Sequence, residues 1–325
     1  MARLSLRLLQ QGPPTSLLPA VLLMLGGYGP DADRSLPADA EPRVVQDTPG
    51  VPPPTAYERN LVLMTMSGDS AIVVPWLFRT ESTADGVVRE VGAWMSRGDA
   101  WEAFYFERWL TESTRAPFRI HPRGPLDLVI GNEGALEAVL YEEGSRQLET
   151  VLDEPLTDWR GVRGTTFRVH RGALFLSSQR LEARVVDMTR SRHLDQPAAG
   201  DWIYLQAGPD LSLVLEAPVA EPTGAVPYTG WALMKGEQLE WPDVEVRWSE
   251  LRSYEDARRT IPAAWKIRSR DGQLTGTLSS TASHLQVGGG VGPLLPVQGL
   301  FRVQGSLTIA GDSIVVRGIV LHIQP

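Results

Sequence analysis

The chain has 325 residues, of which 42% are hydrophobic and 22% are charged, a composition typical of globular rather than disordered proteins. Its net charge of −8, without any cluster of lysine and arginine, argues against a nucleic-acid partner, because phosphate binding needs a basic face. Cysteine is absent, which excludes disulfides, thiol nucleophiles, cysteine-ligated zinc and lipoprotein anchoring.

The first 40 residues have the features of a signal peptide. A positively charged start precedes the apolar run 17–25, which is too short to span a bilayer, and Ala38 and Ala40 offer a cleavage site. The proline-rich stretch 41–56 is typical of an extended linker. We therefore expect a periplasmic or secreted protein with no transmembrane segment in the mature chain; the alternative is an unprocessed, disordered tail.

Residues 57–197 predict a first β domain. The apolar runs 60–66 and 71–78 are separated by a polar turn that contains glycine, which indicates a hairpin. A strong strand follows at 101–110, and shorter strands continue to the polar segment 189–200. We place the domain boundary within that segment.

Residues 198–325 predict a second β domain. Apolar and polar side chains alternate along 301–309, which is typical of a strand with one buried and one wet face. The run 313–323 is apolar on both faces and predicts a strand that is covered on both sides. The segment 249–259 is compatible with a short helix. The predicted fold class is all-β, with two barrels or sandwiches in tandem.

Four segments of the second half carry a resemblance to a known family. Residues 202–206 match an aromatic opening strand, 258–265 match a segment that ends in tryptophan, and 299–305 and 316–322 match two final strands that contain glycine. On these segments the chain resembles the AttH-like and carotenoid 1,2-hydratase group, also known as predicted secreted hydrolases. The resemblance implies two lipocalin-like β-barrel domains in tandem. In the first half, Asp187 alone keeps the acid of that group's Asp-x-x-Trp-Gly segment.

The strand at 101–109 offers two candidate proton donors. In an unbroken strand, Trp101, Tyr105, Glu107 and Trp109 share one face, and Glu102 lies on the other. Either face places a carboxyl group among aromatic rings, where desolvation raises its pKa. Such a group can protonate an alkene or act as a general acid, so Glu107 and Glu102 are our catalytic candidates. The alternative is an aromatic core strand with a carboxylate at its rim.

Ten tryptophans are available to line an apolar cavity, which lipocalin-like barrels often enclose. The candidate ligand-binding residues are Trp101, Tyr105, Trp109, Trp202, Tyr204, Trp231, Trp265 and His322. The alternative role for each tryptophan is core packing. For His322 it is a structural role, as a half-buried residue whose hydrogen bonds are satisfied on its strand. The five histidines are scattered and no two have the local spacing of metal ligands, so we expect neither a metal nor an organic cofactor.

Three functions from different classes fit these patterns. The first is an exported lipocalin-like protein that binds a hydrophobic small molecule, a lipid or isoprenoid, in an aromatic-lined cavity. The second is a cofactor-independent hydratase or hydrolase that acts on an apolar substrate. The third is a structural or interaction protein of the cell envelope. A binder or an enzyme needs an internal void of roughly 300 Å³ or more that is lined by the tryptophans, and an enzyme also needs a buried carboxylate that reaches into the void. The sequence does not indicate an oligomeric state.

Overall fold

The computed structural model describes residues 54–65, 71–132, 135–176, 178–197, 199–220, 226–289 and 292–325. The predicted signal peptide, most of the predicted linker and the turn between the first two apolar runs lie outside these residues. The end of the predicted linker belongs to the first strand, which begins at Thr55. None of the described residues belongs to a helix with the length and hydrophobicity that crossing a bilayer requires.

The predicted all-β class is confirmed. Nine antiparallel strands of the first half form one sheet, in the order β4-β3-β2-β1-β9-β8-β7-β6-β5. These strands are β1 (Thr55–Thr65), β2 (Ile72–Thr83), β3 (Gly86–Arg97), β4 (Ala100–Thr111), β5 (Leu126–Ile130), β6 (Leu136–Glu143), β7 (Arg146–Arg160), β8 (Thr166–Leu176) and β9 (Gln179–His193).

Eight strands of the second half close into a barrel, in which β10 pairs with both β11 and β17. They are β10 (Trp202–Ala207), β11 (Leu211–Glu216), β12 (Tyr228–Met234), β13 (Glu237–Tyr254), β14 (Arg259–Ser269), β15 (Leu274–Val287), β16 (Val297–Ile309) and β17 (Asp312–Gln324). The change from sheet to barrel falls between His193 and Trp202. Sheet and barrel belong to one compact unit that begins at residue 51.

Alternation along the strands assigns each side chain to a layer. In β1, Leu61 and Leu63 lie on the face of the sheet that packs into the first half's own core, here called the sheet interior. Val62 lies on the opposite face, toward the barrel. In β17, Val320 lies inside the barrel and Leu321 packs against the sheet. The second part of β17, from Gly318 to His322, is therefore covered on both faces, as its sequence predicted, because the sheet lies against the outside of the barrel. The first part is not, since Val315 is 71% exposed.

The apolar layer between sheet and barrel is here called the seam. It is made of buried side chains from both halves, among them Val62, Met64, Trp94, Trp159, Phe167, Met188, Trp202, Tyr204, Val214, Trp231, Ile319 and Leu321. Arg302 of β16 crosses the seam, where it donates hydrogen bonds to the carbonyl oxygen of Ala71 at 2.7 Å and of Ser96 at 3.2 Å. The two halves are thus joined by apolar packing and by a buried guanidinium.

The helix considered for residues 249–259 is not formed. β13 runs to Tyr254 and pairs with β14 up to Arg259, and a single 3-10 turn, Glu255–Ala257, joins the two strands. In this segment, pairing with a neighbouring strand outweighs the local preference for a helix, because the backbone N–H and C=O groups of the paired residues form hydrogen bonds in the sheet.

Candidate functional site

A β-bulge in β4 corrects the predicted arrangement of the aromatic strand. Ala103 pairs with Trp94, but Tyr105 pairs with Ala93, so Phe104 is an extra residue in β4. An extra residue reverses the alternation beyond it. Trp101 consequently packs against the seam, whereas Tyr105 and Trp109 face the interior of the sheet. The prediction that these three rings share one face is wrong.

The two predicted proton donors lie at the surface. The side chain of Glu102 is 59% exposed and pairs with Arg146 at 3.1 Å, and that of Glu107 is 44% exposed and lies 3.8 Å from Arg123. Neither carboxylate has the dry surroundings that the sequence suggested, because β4 is an edge strand of the sheet. A catalytic role for Glu102 or Glu107 stays a prediction, and this geometry does not favour it.

Three of the predicted ligand-binding rings belong to the seam. Trp202 is fully buried and stacks on Phe167, with ring centroids 6.2 Å apart, and Trp231 lies 5.5 Å from the same ring. Tyr204 is also fully buried, and burial raises the pKa of its hydroxyl. These side chains point out of the barrel toward the sheet, so the alternative interpretation, core packing, describes their contacts.

The remaining two candidates, Trp265 and His322, lie inside the barrel. Trp265 meets Phe301 edge-on at 5.4 Å, and Phe301 lies 5.9 Å from the imidazole of His322. His322 is fully buried, and its Nδ1 lies 2.9 Å from Oδ1 of Asp201. Asp201 and His322 are here called the barrel dyad.

A cavity of about 330 Å³ opens where β1, β2 and β9 meet the chain between β4 and β5. We call it the mouth pocket. Its lining includes Tyr57, Arg59, Phe78, Thr80, Phe118, Ile120, Thr189 and Ser191. The ring of Phe118 is 60% exposed and lies 6.1 Å from that of Tyr57. The lining therefore mixes aromatic and aliphatic side chains with hydroxyl groups and a guanidinium, since Tyr57 pairs with Thr80 and Ser191 and Arg59 pairs with Phe78 and Thr189.

The loop that carries Phe118 is held by a buried arginine. Arg89 of β3 is 2% exposed, and its Nη1 donates to the carbonyl oxygens of Arg119 at 2.6 Å and Pro117 at 3.3 Å. Both acceptors are chain neighbours of Phe118, so the wall of the pocket is fixed to the sheet. An exposed aromatic ring on an anchored loop is suited to contact a ligand.

An ion pair lies at the inner side of the mouth pocket. Arg59 donates from Nε and Nη2 to the two carboxylate oxygens of Asp187, at 2.8 and 2.6 Å. Asp187 is 7% exposed. Two parallel, charge-assisted hydrogen bonds fix the orientation of the guanidinium at the pocket wall.

A buried histidine lies behind this ion pair. His170 of β8 is 7% exposed, and within the described part of the chain neither ring nitrogen makes a hydrogen bond of normal geometry. Burial lowers the pKa of His170, and the carboxylate of Asp187 partly offsets this effect. A neutral imidazole is a proton acceptor, and His170 lies on the strand next to Asp187, because His170 pairs with Val185 and Arg168 pairs with Asp187.

Comparison with known proteins gives the fold. No protein-family model matches the sequence, and no curated protein matches it significantly. Kievitone hydratase from Nectria haematococca is similar in structure, with 12% identity, a TM-score of 0.52, and coverage of 84% of this chain and 89% of that one. A putative AttH from Nitrosomonas europaea has 11% identity and a TM-score of 0.55 over 82% of this chain and 91% of that one. The protein CghA has 12% identity and a TM-score of 0.50 over 84% and 88%.

The chain has the fold of these proteins. The all-β, lipocalin-like architecture that the sequence resemblance implied is thereby confirmed. The second half is a closed eight-stranded barrel, whereas the first half is an open nine-stranded sheet rather than a closed barrel. At identities of 11–12% the likeness concerns the fold, and the chemistry has to be argued from this chain's own residues.

Arg59, Phe118 and His170 were missed by the sequence analysis. Arg59 and His170 lie in strands where alternation assigns them to the sheet interior. Because polar residues are seldom buried, a polar residue at such a position indicates a possible functional site. Phe118 lies in a loop whose path depends on Arg89, and no local pattern in the sequence predicts that contact.

We expect the stability of the protein to fall as the pH decreases below about 6.5, in part because of His170. Its pKa is lowered from 6.5 in the folded state, so the unfolded chain binds the proton first and is favoured at lower pH. His170→Gln removes this contribution. Urea unfolding at a series of pH values measures the free energy of unfolding of both proteins, each relative to its own value at pH 7.5. This free energy should decline less steeply with falling pH in the variant. Identical slopes would contradict the buried, neutral state of His170.

Proposed function

We propose that the exported, mature chain binds an apolar small molecule with an oxygen-bearing end, such as a lipid or isoprenoid, in the mouth pocket. The observation that carries the proposal is the cavity of about 330 Å³ that is lined by aromatic side chains and by an oriented guanidinium. Small-molecule sites have volumes of about 300–1,000 Å³, with mostly apolar linings and a few placed polar groups. The mouth pocket is at the lower end of this range.

The apolar side chains of the lining support a hydrocarbon portion of the ligand. Phe118 is an exposed large apolar residue, and it lies beside Ile120 and Tyr57. A ligand that covers the phenyl ring removes apolar surface from water, which contributes about 1–2 kcal/mol. The rest of the lining positions that hydrocarbon next to polar groups.

The polar side chains of the lining support an oxygen-bearing end. Arg59 uses Nε and Nη2 for Asp187, and its Nη1 is not engaged by this pair. Thr80 and Ser191 add hydroxyl groups to the same lining. A carboxylate, carbonyl or hydroxyl oxygen of the ligand fits these donors, because each accepts hydrogen bonds.

Binding of cis-parinaric acid, a fluorescent fatty acid, tests the proposal. We expect Phe118→Ala to weaken binding about tenfold, since loss of the phenyl contact removes about 1.4 kcal/mol. The matched control is Leu251→Ala, which truncates a similarly exposed apolar residue on β13. Equal affinities in the two variants, or no binding to the unaltered chain, would overturn the proposal.

A second candidate function is water addition or hydrolysis on the bound compound. The observation that favours it is the neutral, buried His170 beside the Arg59–Asp187 pair, because a buried base can take a proton from water. In this candidate His170 accepts the proton, Asp187 stabilises the resulting imidazolium, and Arg59 holds Asp187. The fold is that of a kievitone hydratase, which makes kievitone a reasonable test compound.

Analysis of the recovered ligand separates the two functions. Kievitone incubated with the protein in isotopically labelled water gains labelled oxygen if the chain is a hydratase, and the gain is lost in His170→Gln. Recovery of unchanged kievitone removes this hydration from consideration and leaves binding as the function. If neither cis-parinaric acid nor kievitone binds, a structural role is the remaining reading.

A further inference from the structure

A second cavity lies beside the mouth pocket, where β9 ends. It has a volume of about 460 Å³ and is here called the rim pocket. Its lining includes Thr55, Arg163, Ser191, Arg192, His193 and Gln196. Ser191 lines both cavities, and Gly164 of the mouth pocket is the chain neighbour of Arg163 of the rim pocket. A ligand that extends past Ser191 therefore occupies both cavities.

The charge of the rim pocket is of one sign. Arg163 and Arg192 each contribute a guanidinium, which stays protonated in proteins. The described residues of the lining include no aspartate or glutamate; Asp195 is exposed in the adjoining loop but does not line the cavity. Within the described part of the chain, the guanidinium of Arg163 has no ion-pair or hydrogen-bond partner. A cavity with such a lining attracts an anion.

Arg163 lies on a turn that is fixed to the barrel. The 3-10 turn Val162–Gly164 joins β7 to β8. The backbone N–H of Val162 donates to Oε2 of Glu216 at 3.0 Å, and the hydroxyl of Thr165 donates to the carbonyl oxygen of Val162 at 2.9 Å. Glu216 belongs to β11 and is 3% exposed. The backbone that carries Arg163 is therefore anchored, which keeps its exposed guanidinium within reach of the cavity.

The loop after β9 is also held in place. Nη1 of Arg192 donates to the carbonyl oxygen of Gln196 at 3.2 Å. The backbone N–H of His193 donates to Oε1 of Gln196 at 3.2 Å, and the backbone N–H of Gln196 donates to the carbonyl oxygen of His193 at 3.1 Å. These hydrogen bonds fold the loop back onto the end of the strand, so this part of the lining is preformed.

We propose that the rim pocket binds the phosphate group of the ligand whose hydrocarbon lies in the mouth pocket, which makes that ligand an alkyl or prenyl phosphate. The proposal rests on the function proposed for the mouth pocket and names the class of compound. A phosphate monoester carries up to two negative charges and three terminal oxygens, which suit more than one guanidinium. An alcohol has no charge to match the lining.

Geraniol and geranyl phosphate test the proposal, because they differ only by the phosphate group. At low ionic strength we expect the unaltered chain to bind geranyl phosphate about tenfold more tightly than geraniol, since hydrogen bonds to charged groups are the stronger ones. Isothermal titration calorimetry measures both affinities. Added sodium chloride should reduce the preference, because salt screens exposed charges.

Arg163→Gln should lower the affinity for geranyl phosphate to about that for geraniol. The matched control is Arg258→Gln. Both arginines are exposed, both have a left-handed backbone with φ 55°, and each belongs to a 3-10 connection between two strands. Arg258 lines neither cavity, so its variant should keep the preference for the phosphate.

The outcomes against the proposal are specific. If geraniol and geranyl phosphate bind with equal affinity, the rim pocket is not a phosphate site, while the function proposed for the mouth pocket stands. If neither compound binds, that function fails and the phosphate site fails with it. Equal losses in Arg163→Gln and Arg258→Gln also overturn the proposal. The comparison of the two compounds uses the unaltered chain, so it decides the question even if a variant fails to fold.

Inorganic phosphate distinguishes a free anion from the head group of a lipid. We expect it to bind about a hundredfold more weakly than geranyl phosphate, because it has no hydrocarbon to bury in the mouth pocket. Affinity equal to that of geranyl phosphate would show that the two cavities do not share one ligand, and would overturn the assignment to an alkyl or prenyl phosphate.

Discussion

Asp201→Ala is expected to lower the free energy of unfolding by about 3–5 kcal/mol, because three buried hydrogen-bond donors lose their acceptor. Asp201 is 5% exposed and accepts hydrogen bonds from His322, Ile323 and Tyr228. Alanine leaves all three donors buried and unpaired. Because Asp201 precedes β10 and His322 lies in β17, the loss falls on the two strands that close the barrel. Urea unfolding at neutral pH, followed by circular dichroism, measures the difference.

Asp312→Ala is the matched control for this experiment. Asp312 pairs with Lys235 at 3.5 Å, but both side chains are more than 60% exposed. Exposed pairs of this kind contribute about 0–1 kcal/mol, so we expect little change. If Asp201→Ala costs no more than Asp312→Ala, the barrel dyad does not stabilise the closure of the barrel.

Strand patterns carried most of the fold prediction. Phe301 and Val303 alternate with polar residues in β16, and the structure places both inside the barrel. The second part of the doubly apolar β17 is covered by the barrel core on one face and by the sheet on the other. Period-two alternation reports which face is buried, so the all-β class follows from the sequence. It does not report whether a sheet closes, which depends on the pairing of its edge strands.

The candidate site was harder to predict, for two physical reasons. The bulge at Phe104 shifts the alternation of β4 by one residue, and the aromatic motif gives no sign of it. The polar contacts also join distant parts of the chain: Arg59 and Asp187 are 128 positions apart, and Asp201 and His322 are 121 apart. Such pairs become visible only when the strand order is known. His322 was identified as a candidate from its position on an apolar strand, but its partner was not.

The barrel dyad and the Arg59–Asp187 pair of the sheet differ in their relation to solvent. Arg59, which donates to Asp187, lines the open mouth pocket. Asp201 and His322 are enclosed by aromatic rings inside the barrel. The mouth pocket therefore suits exchange of a ligand with solvent, whereas the barrel dyad belongs to a packed core.

Trp202→Ala is expected to lower the free energy of unfolding by about 3–5 kcal/mol, because it removes a large, fully buried side chain. Trp202 stacks on Phe167 of the sheet at 6.2 Å, so the cavity opens in the seam rather than in a ligand site. Trp202→Phe retains a ring against Phe167 and should cost less.

The second variant separates a packing role from a binding role for Trp202. We expect Trp202→Phe to bind cis-parinaric acid as tightly as the unaltered chain, since Trp202 does not line the mouth pocket, whereas Phe118→Ala weakens binding. Fluorescence titration of the two variants, alongside their urea unfolding curves, makes the comparison. If Trp202→Phe weakens binding while the protein remains folded, the ligand contacts the seam and our assignment of Trp202 to the core is wrong. If binding is unchanged and stability falls, the tryptophan holds the sheet to the barrel, and the ligand contacts belong to the aromatic wall around Phe118.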